Sequence, residues 1–295
     1  MNKIEPNTGG LTGENLVFIV GCPRSGTTWL QRLLATHPQI QTGQESRLFE
    51  YVGPQCRLWR QDVASTGRGG TGLACYLTEP EFLTAQKNHL ASLLAYLLKD
   101  VAPGQIFLEK TPAHALFVPE IHALLPAAKI IHLVRDPRDT VASLLAAGKG
   151  WGQDWAPRSA HRAARMWRKH VGQARAAGAV LPPGQFLEVR YENLVEDPNR
   201  WLVEISRFLN LAWSDPEIIS AVAANSAGEL RSGKGTPIPL HGEHGKATNR
   251  SSVQDPKDFV RKARPGSWRE DLTWLDRGQI WLALLGFKDV LPVKK

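Results

Sequence analysis

The sequence is poor in cysteine and contains no long apolar run, and each absence excludes a class of protein. Its three cysteines are odd in number and show no C-x-x-C spacing, which argues against a disulfide framework and against a zinc site. No stretch approaches the ~20 apolar residues of a membrane-spanning helix. Residues 1–15 also lack the apolar segment of a signal peptide. We therefore expect a cytoplasmic protein with no membrane span.

Acidic residues are in deficit as well, with 28 Asp and Glu against 36 Lys and Arg, for a formal net charge of +8. Such an excess favours a polyanionic partner, which could be a nucleic acid, an anionic lipid or a small ligand with several phosphates. The basic residues are spread along the chain, and no RNA- or DNA-binding motif is present. The sequence therefore predicts no nucleic-acid partner.

Short apolar runs alternate with helical sequence. Leu16 to Val20 is a run of β-forming residues that stops at Gly21, as expected of a strand buried on both faces of a parallel sheet. Apolar residues then recur at helical spacing from Trp29 to Leu34. Further strand candidates are residues 106–108, 130–134 and 186–189. The alternation predicts an α/β fold in a single domain (residues 1–295, core 16–290), with a mostly parallel, doubly wound sheet and a P-loop-like strand-loop-helix.

Local signals mark three helix starts and one long connection. Thr78 and Glu81 have the spacing of a capping box, and Asp197 and Asp215 are each an N-cap acid followed by proline. Residues 225–258 are rich in Gly, Ser, Thr, Pro and Lys and show little periodicity. This composition predicts a long loop or lid.

The segment between the first strand and the first helix, residues 21–28, has the composition of an anion-binding loop. Backbone N–H groups and the helix dipole favour a phosphate at such a junction. Small residues at Gly21, Ser25 and Gly26 permit close approach, while Thr27 and Thr28 offer hydroxyl groups. The spacing is that of the nucleotide P-loop, yet Thr27 replaces its lysine and the nearby cation is Arg24. A loop of this kind suits a phosphate ester other than ATP.

Four segments, in order along the chain, resemble motifs of the sulfotransferases that use 3′-phosphoadenosine 5′-phosphosulfate (PAPS). The most similar branch is the one with an arginine in the loop. This branch includes bacterial, carbohydrate and protein-tyrosine sulfotransferases. One departure is Ala263, which replaces the first glycine of the family's R-K-G-x-x-G-x-W segment. The matching segments are Pro23–Trp29, Arg135–Ser143, Arg190–Leu194 and Phe259–Trp268.

The resemblance implies that PAPS is the donor and that no metal is needed. The loop would hold the 5′-phosphosulfate, and Arg135 with Ser143 would hold the 3′-phosphate. PAPS carries roughly four negative charges, which the cations of these segments would match. The implied donor-binding residues are Arg24, Ser25, Gly26, Thr27, Thr28, Trp29, Arg135, Ser143, Tyr191, Arg261 and Lys262.

The resemblance also implies the catalytic groups. Arg24 and Lys110 would stabilise the leaving group and the sulfuryl oxygens. In members that act on small molecules a histidine directly follows the K-T pair, but this chain has Pro112 there. Glu45, similar to the carboxylate base of the protein-tyrosine branch, is therefore the expected general base. His114, four residues after Lys110, is the alternative.

The sequence does not select the acceptor or the oligomeric state. A small molecule, a carbohydrate, a lipid or a peptide could supply the hydroxyl or amine that receives the sulfuryl group. Two other functions stay open: a P-loop nucleotide kinase, and a non-enzymatic nucleotide or nucleic-acid binder. The missing loop lysine argues against the first, and the scattered basic residues argue against the second.

Overall fold

The computed structural model describes residues 11–65, 71–240, 252–256 and 258–287. Within them, five strands form one parallel sheet with the order β2-β3-β1-β4-β5, so the first strand lies at the centre. The strands are β1 (Leu16–Gly21), β2 (Ile40–Thr42), β3 (Ile106–Lys110), β4 (Lys129–Val134) and β5 (Phe186–Arg190).

Helices connect the strands and continue after the last one. Up to β5 they are α1 (Thr27–Leu34), α2 (Leu48–Ser65), α3 (Glu79–Leu97), α4 (Val118–Leu124), α5 (Pro137–Lys149) and α6 (Ala160–Gly178). After β5 follow α7 (Tyr191–Glu196), α8 (Pro198–Leu209), α9 (Asp215–Ala224), α10 (Ala227–Arg231), α11 (Trp268–Asp271) and α12 (Trp274–Leu284). Short 3₁₀ turns lie at Leu73–Cys75 and Pro112–Leu116.

The central strand packs on both of its faces, because side chains of a strand alternate between the two faces of the sheet. Leu16, Phe18 and Val20 belong to a core that also contains residues of α2, α3 and α4. Val17 and Ile19 belong to a second core built with α1, α8 and α9. Burial on both faces explains the unbroken apolar run that marked this strand in the sequence.

The predicted α/β fold and all four predicted strand positions are confirmed. The Thr78 capping box is present, and Asp197 caps α8 by accepting from Arg200 N at 3.0 Å. The short strand β2 was not predicted, because its three residues are too few to show a period.

Two local predictions are corrected. The N-cap of α9 is Ser214 and not Asp215, since the Ser214 backbone N–H and hydroxyl both donate to the Glu217 carboxylate. Residues 225–258 are not loop throughout, because they contain the helix α10. Residues 241–251 and 257 of that stretch lie outside the described residues.

Candidate active site

The anion loop follows β1 and leads into α1 at the carboxyl edge of the sheet. Arg24 and Gly26 have positive φ angles of 72° and 98°. The Ser25 hydroxyl is buried and donates to the carbonyl of Cys22 at 2.7 Å, which closes the loop on itself. A Cβ atom at Gly26 would lie 2.6 Å from the ring of Tyr191. Glycine is therefore required at this position both by its φ angle and by the close approach of Tyr191.

A cavity of about 310 Å³ opens beside this loop. Of the eleven residues implied as donor-binding, ten line it, from segments that are far apart in the sequence. Ser25 is the exception, because its hydroxyl points into the loop. The ten are Arg24, Gly26, Thr27, Thr28, Trp29, Arg135, Ser143, Tyr191, Arg261 and Lys262.

Arg24 is held at the cavity by two kinds of contact, hydrogen bonds and cation–π contacts. Its Nε donates to Ser143 Oγ at 3.1 Å and its Nη2 to the Phe259 carbonyl at 2.6 Å. Its guanidinium also lies over the rings of Phe259 and Trp151, 4.5 and 5.2 Å from their centroids. Burial, followed by the charge of Arg135, lowers the pKa of Arg24 to about 10. The cavity thus concentrates positive charge, which an anion would relieve.

Arg135 directly follows β4, and its guanidinium lies over the Tyr191 ring, 4.5 Å from the ring centroid. Its Nη1 donates to the Arg24 carbonyl at 3.3 Å. Its Nε is buried and has no hydrogen-bond partner among the described residues. A buried donor without a partner is costly. Arg135 therefore has unused hydrogen-bonding capacity at the cavity wall.

Arg261 and Lys262 arrive from the C-terminal part of the chain and are paired with acids. Arg261 contacts Asp271 at 2.7 Å, and Lys262 contacts Glu270 and Asp271 at 2.8 Å each. These pairs are partly exposed, so each contributes little to stability. Both cations reach the cavity while they keep these partners.

Asp139 fixes the C-terminal segment to α5, a role that no local sequence pattern indicates. Its carboxylate is buried and accepts from Gly266 N at 2.7 Å, Trp268 N at 2.9 Å and Ser267 Oγ at 3.2 Å. The three residues that it holds come shortly after Arg261 and Lys262 in the chain. Asp139 therefore sets where Arg261 and Lys262 approach the cavity.

Replacing Asp139 with alanine leaves these donors without their acceptor. We expect the free energy of unfolding to fall by about 1–3 kcal/mol, the cost of unsatisfied buried hydrogen-bonding groups. Urea denaturation followed by fluorescence measures the change. Asp154→Ala, which removes an exposed carboxylate, is the matched control. Equal stability of the two variants would contradict the anchoring role.

Glu45 and Lys110, predicted as base and cation, lie in direct contact. Lys110 Nζ is 2.5 Å from Glu45 Oε1. The two groups differ in accessibility, because the lysine side chain is 6% exposed and the glutamate side chain 45%. Lys110 is the last residue of β3, next to β1 in the sheet, so the pair lies at the same edge as the anion loop. The carboxylate is thus open to an incoming molecule.

His114, the alternative base, lies inside the protein and does not line the cavity. The residue is fully buried. Its Nε2 accepts from the backbone N–H of Phe49 at 3.1 Å, and its Nδ1 lies 2.9 Å from Glu109 Oε2. The Phe49 amide and the Glu109 carboxylate thus lie against the two ring nitrogens, and the ring is not exposed to solvent.

Asn225 and Arg32 build the far wall of the cavity and were not predicted. The side-chain amide of Asn225 donates to Thr236 Oγ1 at 2.9 Å and accepts from Thr236 N at 2.9 Å. The backbone carbonyl of Asn225 accepts from Trp29 Nε1. Arg32 donates to the Thr236 carbonyl and to Asp255 at 3.1 Å. These contacts join α1 to residues about 200 positions later. No local pattern in the sequence signals them.

Comparison with known proteins places this arrangement in a family. A family model described as "Sulfotransferase family" matches residues 16–215, more than half of the chain. The chain belongs to the sulfotransferase family. The match covers the whole sheet, the anion loop, Glu45, Lys110 and the Arg135–Ser143 segment. It ends before the residues that close the cavity on the C-terminal side.

Among curated relatives of this sulfotransferase is protein-tyrosine sulfotransferase 1 of Danio rerio, 28% identical over 200 residues. A putative protein-tyrosine sulfotransferase of Caenorhabditis briggsae is 29% identical over 205 residues. The alignments cover 68% of this chain in both cases, and 54% and 67% of the two relatives. The chain thus spans about half the length of the zebrafish relative.

Solved sulfotransferase structures share the fold. A mouse sulfotransferase, SULT7A1, complexed with PAP has a TM-score of 0.57 and 17% identity, over 95% of this chain and 88% of that one. The sulfotransferase domain of the olefin synthase of Synechococcus PCC 7002 has a TM-score of 0.55 and 21% identity, over 91% and 94% of the two chains. At these identities the likeness is one of fold. Among the described residues, every helix is too short or too polar to cross a bilayer.

Proposed function

We propose that this sulfotransferase transfers the sulfuryl group of PAPS to a hydroxyl or amine and releases 3′,5′-ADP. The observation that carries the proposal is the gathering of ten donor-binding residues, four of them cations, around one cavity. In the transfer, the bond from sulfur to the 5′-phosphate oxygen breaks and a bond from sulfur to the acceptor oxygen or nitrogen forms. The acceptor proton moves to a base on the enzyme.

The cavity fits such a donor. Arg135, whose buried Nε has no partner among the described residues, and Ser143 would bind the 3′-phosphate. The anion loop would bind the 5′-phosphosulfate. It has Gly26 at the position where any side chain would clash with Tyr191. Trp29 and Tyr191 provide aromatic surface in the wall. A known sulfotransferase of this fold has been solved with PAP, which is 3′,5′-ADP.

The reacting groups have separate roles in the proposal. Arg24 would hold the charge that develops on the departing phosphate, since a preorganised cation at that oxygen lowers the barrier. Lys110 would contact the sulfuryl oxygens and the leaving group from the end of β3. Glu45, in contact with Lys110 and open to solvent, would accept the proton from the acceptor. The geometry resembles phosphoryl transfer, where positioning and charge supply most of the catalysis.

The acceptor class stays open among small molecules, carbohydrates, lipids and peptides. The curated relatives are named as protein-tyrosine sulfotransferases, which makes a peptide tyrosine one of the acceptors to test first. The single domain over residues 1–295, the lid role of residues 225–258 and the cytoplasmic location stay predictions of the sequence.

The donor-binding proposal predicts that 3′,5′-ADP binds without a divalent metal. We expect micromolar affinity in calorimetry with EDTA present, because the loop lacks the P-loop lysine and several cations, among them Arg24, Arg135, Arg261 and Lys262, line the cavity. Bound 3′,5′-ADP should also raise the unfolding temperature in EDTA. Binding that requires Mg²⁺, or a larger stabilisation by ATP with Mg²⁺, would favour a kinase.

The assignment of Arg135 predicts a selective loss of affinity. Arg135→Ala should weaken 3′,5′-ADP by about 10- to 100-fold, the value of a charge-assisted contact of roughly 1.5–3 kcal/mol. Affinity for 5′-AMP should change little, since that nucleotide has no 3′-phosphate. Calorimetry with both nucleotides measures the difference, and Arg158→Ala, an exposed arginine, is the control. An equal loss for both nucleotides would place Arg135 elsewhere in the site.

A further inference from the structure

The segment that carries Glu45 has no regular structure of its own. It joins the end of β2 at Thr42 to the start of α2 at Leu48, and Arg47 within it has a positive φ of 55°. A base on such a segment needs external support to stay within reach of its target. The support comes from the residues that follow β3.

Four successive backbone amides at the start of α2 each donate to a side chain. Such amides have no partner inside their own helix. Three of the four acceptors belong to residues 109–114 and the fourth is Ser46 itself. The pairs are Ser46 N to Glu109 Oε1 at 3.2 Å, Arg47 N to Thr111 Oγ1 at 3.1 Å, Leu48 N to Ser46 Oγ at 3.2 Å and Phe49 N to His114 Nε2 at 3.1 Å.

The acceptors are themselves joined into one buried cluster. Glu109 Oε1 also accepts from the hydroxyls of Ser46 and Thr111, both at 2.7 Å. Because His114 Nε2 accepts from Phe49, its proton lies on Nδ1, which faces Glu109 Oε2 at 2.9 Å. Burial opposes the charge of Glu109, but the His114 ring and the hydroxyls of Ser46 and Thr111 favour it, and the pKa of Glu109 lies below its ordinary value. Glu109 is therefore a carboxylate acceptor near neutral pH.

The same strand end presents Lys110 to Glu45. Side chains of consecutive strand residues point to opposite faces of the sheet. Glu109 pairs in register with Phe18, on the side of α2, while Lys110 pairs with Ile19, on the other side. One short segment thus holds the start of α2 with Glu109 and supplies the partner of Glu45 with Lys110.

We propose that Glu109, Thr111 and His114 form a clamp that positions Glu45 against Lys110. The clamp residues are positioning residues, and none of them touches the reacting atoms. The inference rests on the proposed function, in which Glu45 is the base. It gives His114 a purpose in the reaction that depends on its hydrogen bonds and not on proton transfer to or from substrate.

The clamp predicts that its variants lose turnover and keep donor affinity. Glu109→Gln has the same shape but replaces one of the two acceptor oxygens with an amide NH2, so either the donors of Ser46 and Thr111 or the His114 ring would face a donor. A displacement of about 1 Å at a reacting group can cost ~10²-fold, so we expect kcat to fall about 10- to 100-fold. The Kd for 3′,5′-ADP should stay within about twofold of wild type, because the clamp does not line the cavity. Glu14→Gln, an exposed carboxylate before β1, is the matched control.

A pair of His114 variants separates a positioning role from a base. Glutamine can accept from Phe49 N and donate toward Glu109, yet it is no proton acceptor at neutral pH. We expect His114→Gln to retain kcat within about tenfold of wild type and to keep the wild-type pH profile. The kcat of His114→Ala should fall about 10- to 100-fold below wild type. An equal, large loss in both variants would overturn the clamp in favour of a histidine base.

Thr111→Val provides a third test should Glu109→Gln fail to fold, since it keeps the side-chain shape and removes the acceptor of Arg47 N together with one hydroxyl donor to Glu109. Circular dichroism and 3′,5′-ADP binding verify the fold of each variant. If folded clamp variants turn over PAPS like wild type, the clamp is wrong while the sulfotransferase function stands. If the wild-type protein converts PAPS with none of the acceptors tested and does not bind 3′,5′-ADP, the proposed function and the clamp are both wrong.

Discussion

Replacing Glu45 with glutamine should lower kcat by about 10²- to 10⁴-fold, the usual effect of losing a general base. Glutamine keeps the size of the side chain and can still accept a hydrogen bond from Lys110, but it cannot take the acceptor proton. The Kd for 3′,5′-ADP should change little, because Glu45 does not line the donor cavity. A loss confined to kcat would mark a group that acts in the transition state.

The assay follows the conversion of PAPS to 3′,5′-ADP with a panel of phenols, sugars, lipid alcohols and tyrosine peptides. Glu50→Gln is the control, since Glu50 lies in the same region but pairs with Arg47 and not with Lys110. Wild-type turnover by Glu45→Gln with any good acceptor would show that the base is another group.

Replacing Arg24 with methionine should lower kcat by about 10²- to 10³-fold, the effect seen when one preorganised transition-state donor is removed. Methionine keeps an unbranched apolar stem beside Trp151 and Phe259 but loses the charge and the hydrogen bonds to Ser143 and the Phe259 carbonyl. The donor should also bind more weakly, because a cation leaves the cavity wall. Single-turnover rates at saturating PAPS separate the two effects.

Arg24→Lys tests whether charge alone suffices, since lysine restores the charge but not the planar fork of donors. We expect it to recover only part of the lost rate. A methionine variant that binds PAPS weakly yet reaches the wild-type kcat would show that Arg24 contributes equally to ground and transition states.

Local sequence patterns predicted the parts of the molecule that depend on local forces. The strand that precedes the anion loop, the helix after it and the capping of α3 follow from neighbouring residues, so they could be read directly. Ten of the eleven residues that the resemblance implies as donor-binding line one cavity, because their motifs stand at the carboxyl ends of β1, β4 and β5 or in the anchored C-terminal segment.

The parts that were missed depend on contacts between distant segments. Asp139 is separated by more than 120 residues from the backbone groups that it anchors. The spacing shows a titratable ring at His114 near Lys110, but it does not show that the ring is buried between the Phe49 amide and Glu109. The hydroxyl of Ser25 has the right position in the loop but closes a turn within it.

The pairing of Arg261 and Lys262 with Asp271 and Glu270 has a consequence for ionic strength. A polyanion that enters the cavity competes with carboxylates that already belong to the chain, and not only with dissolved anions. Added salt screens the contacts of the donor, but it equally screens the internal pairs that oppose them. The affinity for 3′,5′-ADP should therefore decline with salt less steeply than a cavity with four cations would suggest.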